Sequence, residues 1–310
     1  MIGAGPKRLL GGLYVDLGRD HRASVFLAGS GRAGTTWVSE IINYRGEYRY
    51  VFEPFHPGRV DAFKNFRSKQ YLRPDDRREE YLGPARKVLT GGLRSRWTDR
   101  FHRKLVARRR MIKDIRANLL LGWMRANFPG MPIILLLRHP CAVVASRLAL
   151  GWKDNLYETM EQGELVEDFL RPMEPEIRGA RDAFERHLFL WCIENYLPLR
   201  QFAPGEIHLA FYENFLVHPD EEIDSLFSFL GKDFDERVYR TLKRASPLSR
   251  KDTGSETNSV DAWRRRISDA QLERATEIQG HFGLQRLYGG RTMPDPSAAY
   301  ALMDGVRARK

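Results

Sequence analysis

The chain has 310 residues, 42% of them hydrophobic, and a formal net charge of +11 at pH 7. This composition is that of an ordinary globular protein, and the length allows one α/β domain or two small ones. No apolar run approaches the ~20 residues of a membrane helix, and the first twenty-odd residues lack the apolar stretch of a secretory signal. We therefore expect a soluble, cytoplasmic protein without a transmembrane segment.

The first half of the chain alternates between strand and helix patterns. The apolar run at 24–29 ends in glycine and predicts a buried strand. Residues 35–44 carry apolar side chains at helical spacing. Residues 48–54 alternate and stop at a proline, which predicts a second strand. Residues 110–117 are a third strand candidate, and the uninterrupted apolar run at 132–138 is typical of a strand covered on both faces.

The second half of the chain is richer in helix patterns. Residues 140–150 predict a helix with a proline in its first turn. The remaining elements are expected, in order, as a helical segment at 155–203, a last strand at 206–215, a helix at 218–231, a polar loop beginning at 249, a helix at 268–283 and a loosely ordered tail after 290.

The alternation of strands and helices predicts one α/β domain over residues 22–290, a three-layer, P-loop-like domain with a central parallel β-sheet flanked by helices. Residues 59–110 are expected to form a basic, mostly helical insertion. Residues 1–21 and 291–310 are expected to be terminal extensions. Cys141 and Cys192 lie in apolar segments and are expected to be buried free thiols.

The positive charge is concentrated in one segment. Residues 59–116 contain 19 Lys and Arg against 7 Asp and Glu, a net charge of +12, so the rest of the chain is nearly neutral. This segment is either a solvated helical surface or a source of attraction for an anionic cofactor or acceptor. No nucleic-acid-binding motif accompanies the charge, so we expect no nucleic-acid partner.

The stretch "AGSGRAGTTW" (28–37) lies between a predicted strand and a predicted helix, where a phosphate-binding loop belongs. Its backbone N–H groups and the positive end of the helix dipole suit a phosphate. Thr35 stands where a Walker A loop has lysine, and Arg32 supplies a forked cation three residues earlier. Without that lysine the loop favours a ligand of lower charge than a triphosphate, such as a phosphosulfate anhydride.

A second element carries an arginine at the end of a predicted strand. In "RHPCAVVAS" (138–146), Arg138 leaves the strand and Ser146 lies two turns into the following helix. Both can converge on one anion at the carboxyl edge of the sheet, where open α/β sheets bind ligands.

On these two motifs the chain resembles sulfotransferases that use 3′-phosphoadenosine 5′-phosphosulfate (PAPS), over roughly residues 22–290. "RAGTTW" (32–37) matches the loop that grips the 5′-phosphosulfate, and 138–146 matches the element that grips the 3′-phosphate, with His139 and Cys141 where the family often has Asp and Arg. "YENFLVHP" (212–219) and "DAWRRRIS" (261–268) are similar to the family's adenine-side tyrosine and late basic loop. The resemblance implies a nucleotide site formed by Gly31, Arg32, Ala33, Gly34, Thr35, Thr36, Trp37, Arg138, Ser146, Tyr212, Arg264 and Arg265.

The resemblance also suggests where the catalytic base lies. The small-molecule branch has a base histidine on a middle strand, but Ile115 occupies that place here. The carbohydrate branch has a glutamate after the second strand, and "FEPFHP" (52–57) supplies Glu53 with His56 as an alternate base or hydroxyl-orienting group. We expect Glu53, Arg32 and His56 to be catalytic. Lys113 and Arg116 either line the site or end an exposed strand.

The predicted function is transfer of a sulfo group from PAPS to an acceptor hydroxyl, leaving 3′-phosphoadenosine 5′-phosphate (PAP) and requiring no metal. The acceptor is expected to be a saccharide or glycoconjugate, possibly anionic, because the base resembles that of the carbohydrate branch. The lack of an anchor suggests a soluble, bacterial-type member with residues 155–203 on the acceptor side. The alternatives are a P-loop kinase or NTPase, which predicts ATP and magnesium binding, and a non-catalytic nucleotide- or polyanion-binding protein.

Overall fold

The structure is a computed structural model that describes residues 14–102, 104–244 and 259–307. The strands are β1 (Val15–Asp16), β2 (Ser24–Gly29), β3 (Tyr48–Phe52), β4 (Val106–Ala107), β5 (Arg109–Asp114), β6 (Ile133–Leu137) and β7 (His208–Phe211). The helices are α1 (Thr35–Ile42), α2 (Glu79–Leu89), α3 (Leu121–Asn127), α4 (Pro140–Ala149), α5 (Leu156–Met160), α6 (Gly163–Leu165), α7 (Glu174–Arg178), α8 (Ala183–Gln201), α9 (Tyr212–Val217), α10 (Pro219–Phe229), α11 (Arg237–Leu242), α12 (Asp269–His281) and α13 (Pro296–Arg307).

Five strands form a parallel sheet in the order β3-β5-β2-β6-β7. The chain leaves β2 toward β3 on one side and later returns to β6 on the other, so the strand order reverses at β2. Open α/β sheets bind ligands at such a point, outside the carboxyl ends of the strands. The loop at 30–34 follows β2 and therefore lies at this position.

Helices cover the sheet and complete a three-layer α/β domain, as predicted. α1 packs on β2 and β5, α10 packs on β7, and α8 packs against α4, α12 and α13. Every residue of β2 and β6 is buried, in agreement with their uninterrupted apolar sequences. The expected helical character of residues 155–203 is confirmed by α5 to α8 and the short helical turns between them.

The basic segment at 59–110 is not mostly helical, so that expectation was wrong. Among its described residues, the helical parts are α2 and the single turn Asp61–Phe63. The chain instead follows an irregular path because its aromatic side chains are drawn into the core: Phe63 and Phe66 are buried and pack together with Phe55. The backbone N–H of Tyr71 donates to Gln162 Oε1 at 2.8 Å.

Two further expectations need correction. The last strand ends at Phe211 rather than extending to 215, because α9 begins at Tyr212. The tail after 290 is not loose: α13 packs on α8 with Ala299 and Met303 fully buried. The beginning of the polar loop predicted from 249 lies outside the described residues, as do 1–13 of the predicted N-terminal extension and 308–310 of the C-terminal one.

Both cysteines are buried and free, as expected. Among the described residues, no helix is both long enough and apolar enough to cross a membrane.

Candidate active site

The loop after β2 adopts a conformation that depends on glycine. Gly34 has φ 98° and forms the N-cap of α1, where no side chain caps the helix. A Cβ on Gly34 would lie 2.6 Å from the Tyr212 ring, so both the backbone angle and the space require glycine. The first N–H groups of α1 have no partner within the helix and face the carboxyl edge of the sheet. This arrangement is suited to an anion.

Arg32 departs from the usual backbone geometry of a side-chain-bearing residue, with φ 80°. Left-handed conformations at non-glycine residues concentrate at functional sites. Its Nε donates to Ser146 Oγ at 2.9 Å. Arg138 Nη1 donates to the Arg32 carbonyl oxygen at 3.0 Å. The structure thus brings Arg32, Arg138 and Ser146 together, although they come from three separate elements.

Aromatic side chains form one wall beside the loop. The Arg138 guanidinium lies 4.0 Å from the centroid of the Tyr212 ring, and Tyr212 makes an edge contact with Trp37 at 5.3 Å. Trp37 is buried and donates its indole N–H to the Leu242 carbonyl. Gly31 and Ala33 complete the loop, and Thr35 and Thr36 begin α1, where Thr35 is also buried.

A buried polar network contacts the loop on its protein-facing side, and the sequence analysis did not identify it. Arg147 is 2% exposed; its Nε donates to the Gly31 carbonyl at 3.1 Å and its Nη2 to Glu194 Oε2 at 2.9 Å. Lys69 forms an ion pair with the other Glu194 oxygen. Asn195 donates to Ser30 Oγ. The signal available in the sequence was Glu194, a charged residue directly after the apolar run at 188–193 of α8.

The late basic segment covers the start of α4. Trp263 stacks on His139 with ring centroids 4.1 Å apart. The neighbouring Arg264 is exposed and donates to the Gly290 carbonyl at 2.6 Å. Arg265 is also exposed. The segment is therefore next to Arg138, but the described contacts of Arg264 are to the C-terminal part of the chain rather than to the loop.

Glu53 lies directly after β3, with φ 42° and 6% exposure. Its Oε1 accepts from Lys113 Nζ at 2.6 Å and its Oε2 from Arg116 Nη1 at 2.8 Å. Burial raises the pKa of Glu53, but the charges and hydrogen bonds of Lys113 and Arg116 outweigh burial and hold this pKa below its usual value. Glu53 is therefore ionised at neutral pH.

His56 is partly buried beside Glu53. Burial and the charge of Arg116 lower its pKa to about 4, so the ring is neutral at pH 7. Its Nδ1 accepts from the Gly58 backbone N–H at 3.2 Å. In this arrangement the proton of the neutral ring resides on Nε2. The ring can then donate a hydrogen bond to a hydroxyl oxygen more readily than it can take a proton.

Asp114 is the third candidate for the catalytic base at this edge, after Glu53 and His56. It is fully buried, and burial raises its pKa to about 6. Its carboxylate accepts from the backbone N–H groups of Phe55 at 2.8 Å and Arg116 at 2.7 Å. Both bonds fix the loops that carry Glu53 and Arg116, so the position of Asp114 is that of a structural support.

The candidate residues therefore form two clusters on one sheet edge. Arg32, Arg138, Ser146 and Tyr212 lie on one side of the loop, and Glu53, Lys113, Arg116 and His56 lie at the ends of β3 and β5. Trp152 lies near the loop between them: a Cβ on Gly31 would lie 2.7 Å from its indole and 3.3 Å from the Ile115 side chain. Trp152 is 39% exposed. In the described part of the chain, no group of three or more His, Cys, Asp or Glu side chains could hold a metal ion.

A loop with Thr35 in place of the Walker lysine and Arg32 three residues earlier, hydrogen-bonded to a second arginine and a serine at the sheet edge, is the arrangement expected of a sulfotransferase. The family model described as the sulfotransferase family matches residues 24–236. The chain belongs to the sulfotransferase family. The match includes the loop, Glu53, the Arg138 element and Tyr212, whereas Arg264 and Arg265 lie beyond it.

Solved sulfotransferase structures are similar at low sequence identity. Mouse sulfotransferase SULT7A1 complexed with PAP is 13% identical, with 97% of this chain and 95% of that chain covered and a TM-score of 0.49. The sulfotransferase from Alicyclobacillus acidocaldarius is 15% identical, covering 94% and 97%, with a TM-score of 0.42. Retinol dehydratase in complex with androsterone and PAP is 16% identical, covering 89% and 85%, with a TM-score of 0.44. No curated protein matches the chain.

Proposed function

We propose that this sulfotransferase moves the sulfo group of PAPS to an acceptor hydroxyl of a saccharide or glycoconjugate. The observation that carries the proposal is the meeting of Arg32, Arg138 and Ser146 at the loop after β2. This loop has backbone donors and two arginines but no Walker lysine, which suits a phosphosulfate and a 3′-phosphate better than a triphosphate with magnesium.

In the proposed reaction, the acceptor oxygen attacks sulfur in line with the leaving phosphate. A bond forms between sulfur and the acceptor oxygen, the bond between sulfur and the phosphate oxygen breaks, and PAP leaves. The acceptor proton passes to Glu53. Positive charge at Arg32 and in the first turn of α1 stabilises the charge that grows on the phosphate. The 3′-phosphate binds Arg138 and Ser146, and the adenine lies on the side of Tyr212, with Arg264 and Arg265 above the nucleotide.

Glu53 is the proposed base because it is the ionised carboxylate at the end of a strand on this edge. Its two ion pairs keep Glu53 ionised at neutral pH, and they also lower its basicity. Lys113 and Arg116 keep it in the ionised form, and we infer that these two cations also face the sulfo group during transfer. His56 is assigned the orienting role, since its Nε2 proton can hold the acceptor oxygen.

The acceptor assignment rests on two features. Glu53, Pro54 and His56 follow the pattern of the carbohydrate branch. The exposed Trp152 indole beside Gly31 offers an aromatic face of the kind that packs against the C–H face of a sugar ring.

Transfer of labelled sulfo groups from PAPS tests the proposal. The protein is incubated with neutral and acidic oligosaccharides and, separately, with simple alcohols and phenols. We expect labelled saccharide product, and a loss of product in Arg138→Ala with the exposed Arg240→Ala as a matched control. Product on phenols alone would refute the saccharide assignment, and no product from PAPS with any acceptor, despite PAP binding, would favour a non-catalytic binding protein.

A further inference from the structure

An apolar face is exposed at the end of the molecule that is remote from the nucleotide loop. It consists of Val15 and Leu17 in and after β1 and Leu105 and Val106 at β4, which are 51%, 52%, 60% and 51% exposed. We call these four side chains the β1–β4 face. Exposed large apolar side chains occurring singly need no explanation, but a contiguous group marks an interaction surface.

The pairing of β1 with β4 brings Val15 and Val106 together, whereas Leu105 precedes β4 and is held beside Val15 by a backbone hydrogen bond. The two strands are parallel, with Val15 opposite Val106 and Asp16 opposite Ala107. Successive side chains of a strand alternate between its faces. Asp16 and Ala107 point inward and are buried, so Val15 and Val106 lie side by side on the outward face. Backbone hydrogen bonds from Val15 to Leu105 and from Leu17 to Ala107 fix this register.

Cations border the same face. Lys104, Arg108 and Arg109 line a shallow groove together with Val106 and Glu47. Glu47 is already paired with Lys232 at 2.9 Å. Arg108 and Arg109 are exposed and, in the described part of the chain, make no side-chain hydrogen bond or ion pair, although the charge of Arg109 helps to lower the pKa of Glu47. These arginines belong to the +12 segment, much of whose remaining charge is paired, for example Arg73 with Glu167 and Asp168.

The combination of apolar and cationic side chains restricts the partner. A second copy of this chain, docked face to face, would bring two faces of the same net positive charge together, because Lys104, Arg108 and Arg109 outnumber Glu47 in each groove. A polyanionic chain in water would pair the arginines and leave the apolar side chains exposed. An anionic bilayer surface satisfies both, since apolar side chains enter the headgroup boundary while arginines meet lipid phosphates.

We propose that the β1–β4 face docks the protein on membranes that contain anionic phospholipids. β4 lies directly before β5, which runs from Arg109 at the face to Asp114 at the catalytic edge. Docking therefore leaves the proposed nucleotide and acceptor sites at the opposite end of the sheet, open to solvent. The inference rests on this face alone and does not depend on the identity of the nucleotide.

Cosedimentation of the full chain with vesicles tests the proposal. One set of vesicles contains phosphatidylcholine and phosphatidylserine in equal parts, and the other contains phosphatidylcholine alone. We expect binding to the first set, weakened by salt. Arg108→Glu combined with Arg109→Glu should weaken binding by at least about 25-fold, from about fivefold for each cation. Leu105→Asp combined with Val106→Asp should weaken it by at least about tenfold.

Val217→Asp and Arg240→Glu are matched controls, because they alter an exposed apolar residue and an exposed arginine elsewhere. Both should bind vesicles like the unaltered chain, and all variants should keep its melting temperature and PAP affinity. Equal binding to both vesicle sets, or no binding to either, would overturn the proposal. So would a dimer that the Leu105→Asp and Val106→Asp variant disrupts, or heparin binding that only the arginine variant loses.

Discussion

The two ends of the central sheet use arginine in opposite ways. At the amino end, Arg110 is fully buried and donates to Asp16 at 2.8 Å, to Ser24 and to the carbonyls of Gly18 and Asp20. At the carboxyl end, Arg138 donates to a single carbonyl and stacks on a ring, and within the described residues it has no carboxylate at ion-pair distance.

This difference separates a structural arginine from a ligand-binding one. The charge of Arg110, together with that of Arg49, is compensated by Asp16 and Asp99 before any ligand arrives. The charge of Arg138 is not compensated in this way, so an anionic ligand can use it. Substitutions at the two ends should therefore separate stability from binding.

The largest effect is expected for Glu53→Gln, which keeps the shape and removes the base. We expect kcat to fall by about 10²- to 10⁴-fold, while the Kd for PAP stays nearly unchanged because the proposed base acts on the acceptor and not on the nucleotide. Steady-state kinetics and calorimetry measure the two quantities. Because Lys113 loses its partner, the melting temperature must be compared with that of Lys113→Met, which should retain more activity.

His56→Ala and a pH profile distinguish the alternatives to Glu53. If His56→Ala abolishes turnover and Glu53→Gln retains it, the base is His56. The pKa of Asp114 is raised to about 6, so a base at Asp114 would cause kcat to fall below about pH 6. The pKa of Glu53 is held below its ordinary value of ~4.3. With Glu53 as the base, the carboxylate stays ionised and kcat should therefore stay constant as the pH falls from 7 to about 5.

Arg110→Met should destabilise the protein by about 3–5 kcal/mol, because it opens a buried ion network. In the fraction that remains folded, the Kd for PAP should match that of the unaltered chain. Denaturant unfolding and calorimetry test the two statements separately. A selective loss of PAP affinity without a loss of stability would show that the amino end of the sheet is not merely structural.

Arg138→Ala should have the converse effect. Loss of a charge-assisted contact costs about 1.5–3 kcal/mol, which should weaken PAP much more than AMP because AMP lacks the 3′-phosphate. Stability should change little. Equal weakening of PAP and AMP would mean that Arg138 supports the loop through the Arg32 carbonyl rather than binding the 3′-phosphate.

The smallest expected effect is that of salt on the acceptor. If the cations at the carboxyl end attract an anionic acceptor, the KM for that acceptor should rise as salt increases, because exposed charges are screened. The KM for a neutral acceptor serves as the control. Equal KM values for the anionic acceptor at low and high salt would restrict the role of these cations to the nucleotide.

The sequence predicted the features that depend on neighbours along the chain. The loop at 30–37 was recognisable because its glycines, threonines and Arg32 lie between a buried strand and a helix. Strands β2 and β6 were recognisable from their apolar runs. The location of Arg138 and Ser146 at one edge, where each contacts Arg32, was also predictable, since a helix of known pitch follows the strand end.

The remaining features depend on contacts between distant segments. The pairing of Glu53 with Lys113 follows from β3 lying beside β5, and strand order is not contained in the pattern of either strand. Arg147, Glu194 and Lys69 meet beneath the loop from three segments. Residues 59–110 were misjudged because their charge resembled that of a helical surface, whereas Phe63 and Phe66 are drawn into the core.

The central claim is that the loop after β2 forms a PAPS site. Calorimetric titration with PAP and with ATP plus Mg²⁺ tests this claim most directly. We expect PAP to bind more tightly than ATP, with the same Kd in the presence of EDTA, because the loop has Thr35 in place of the Walker lysine. Tighter binding of ATP with Mg²⁺, or loss of PAP binding in EDTA, would contradict the assignment.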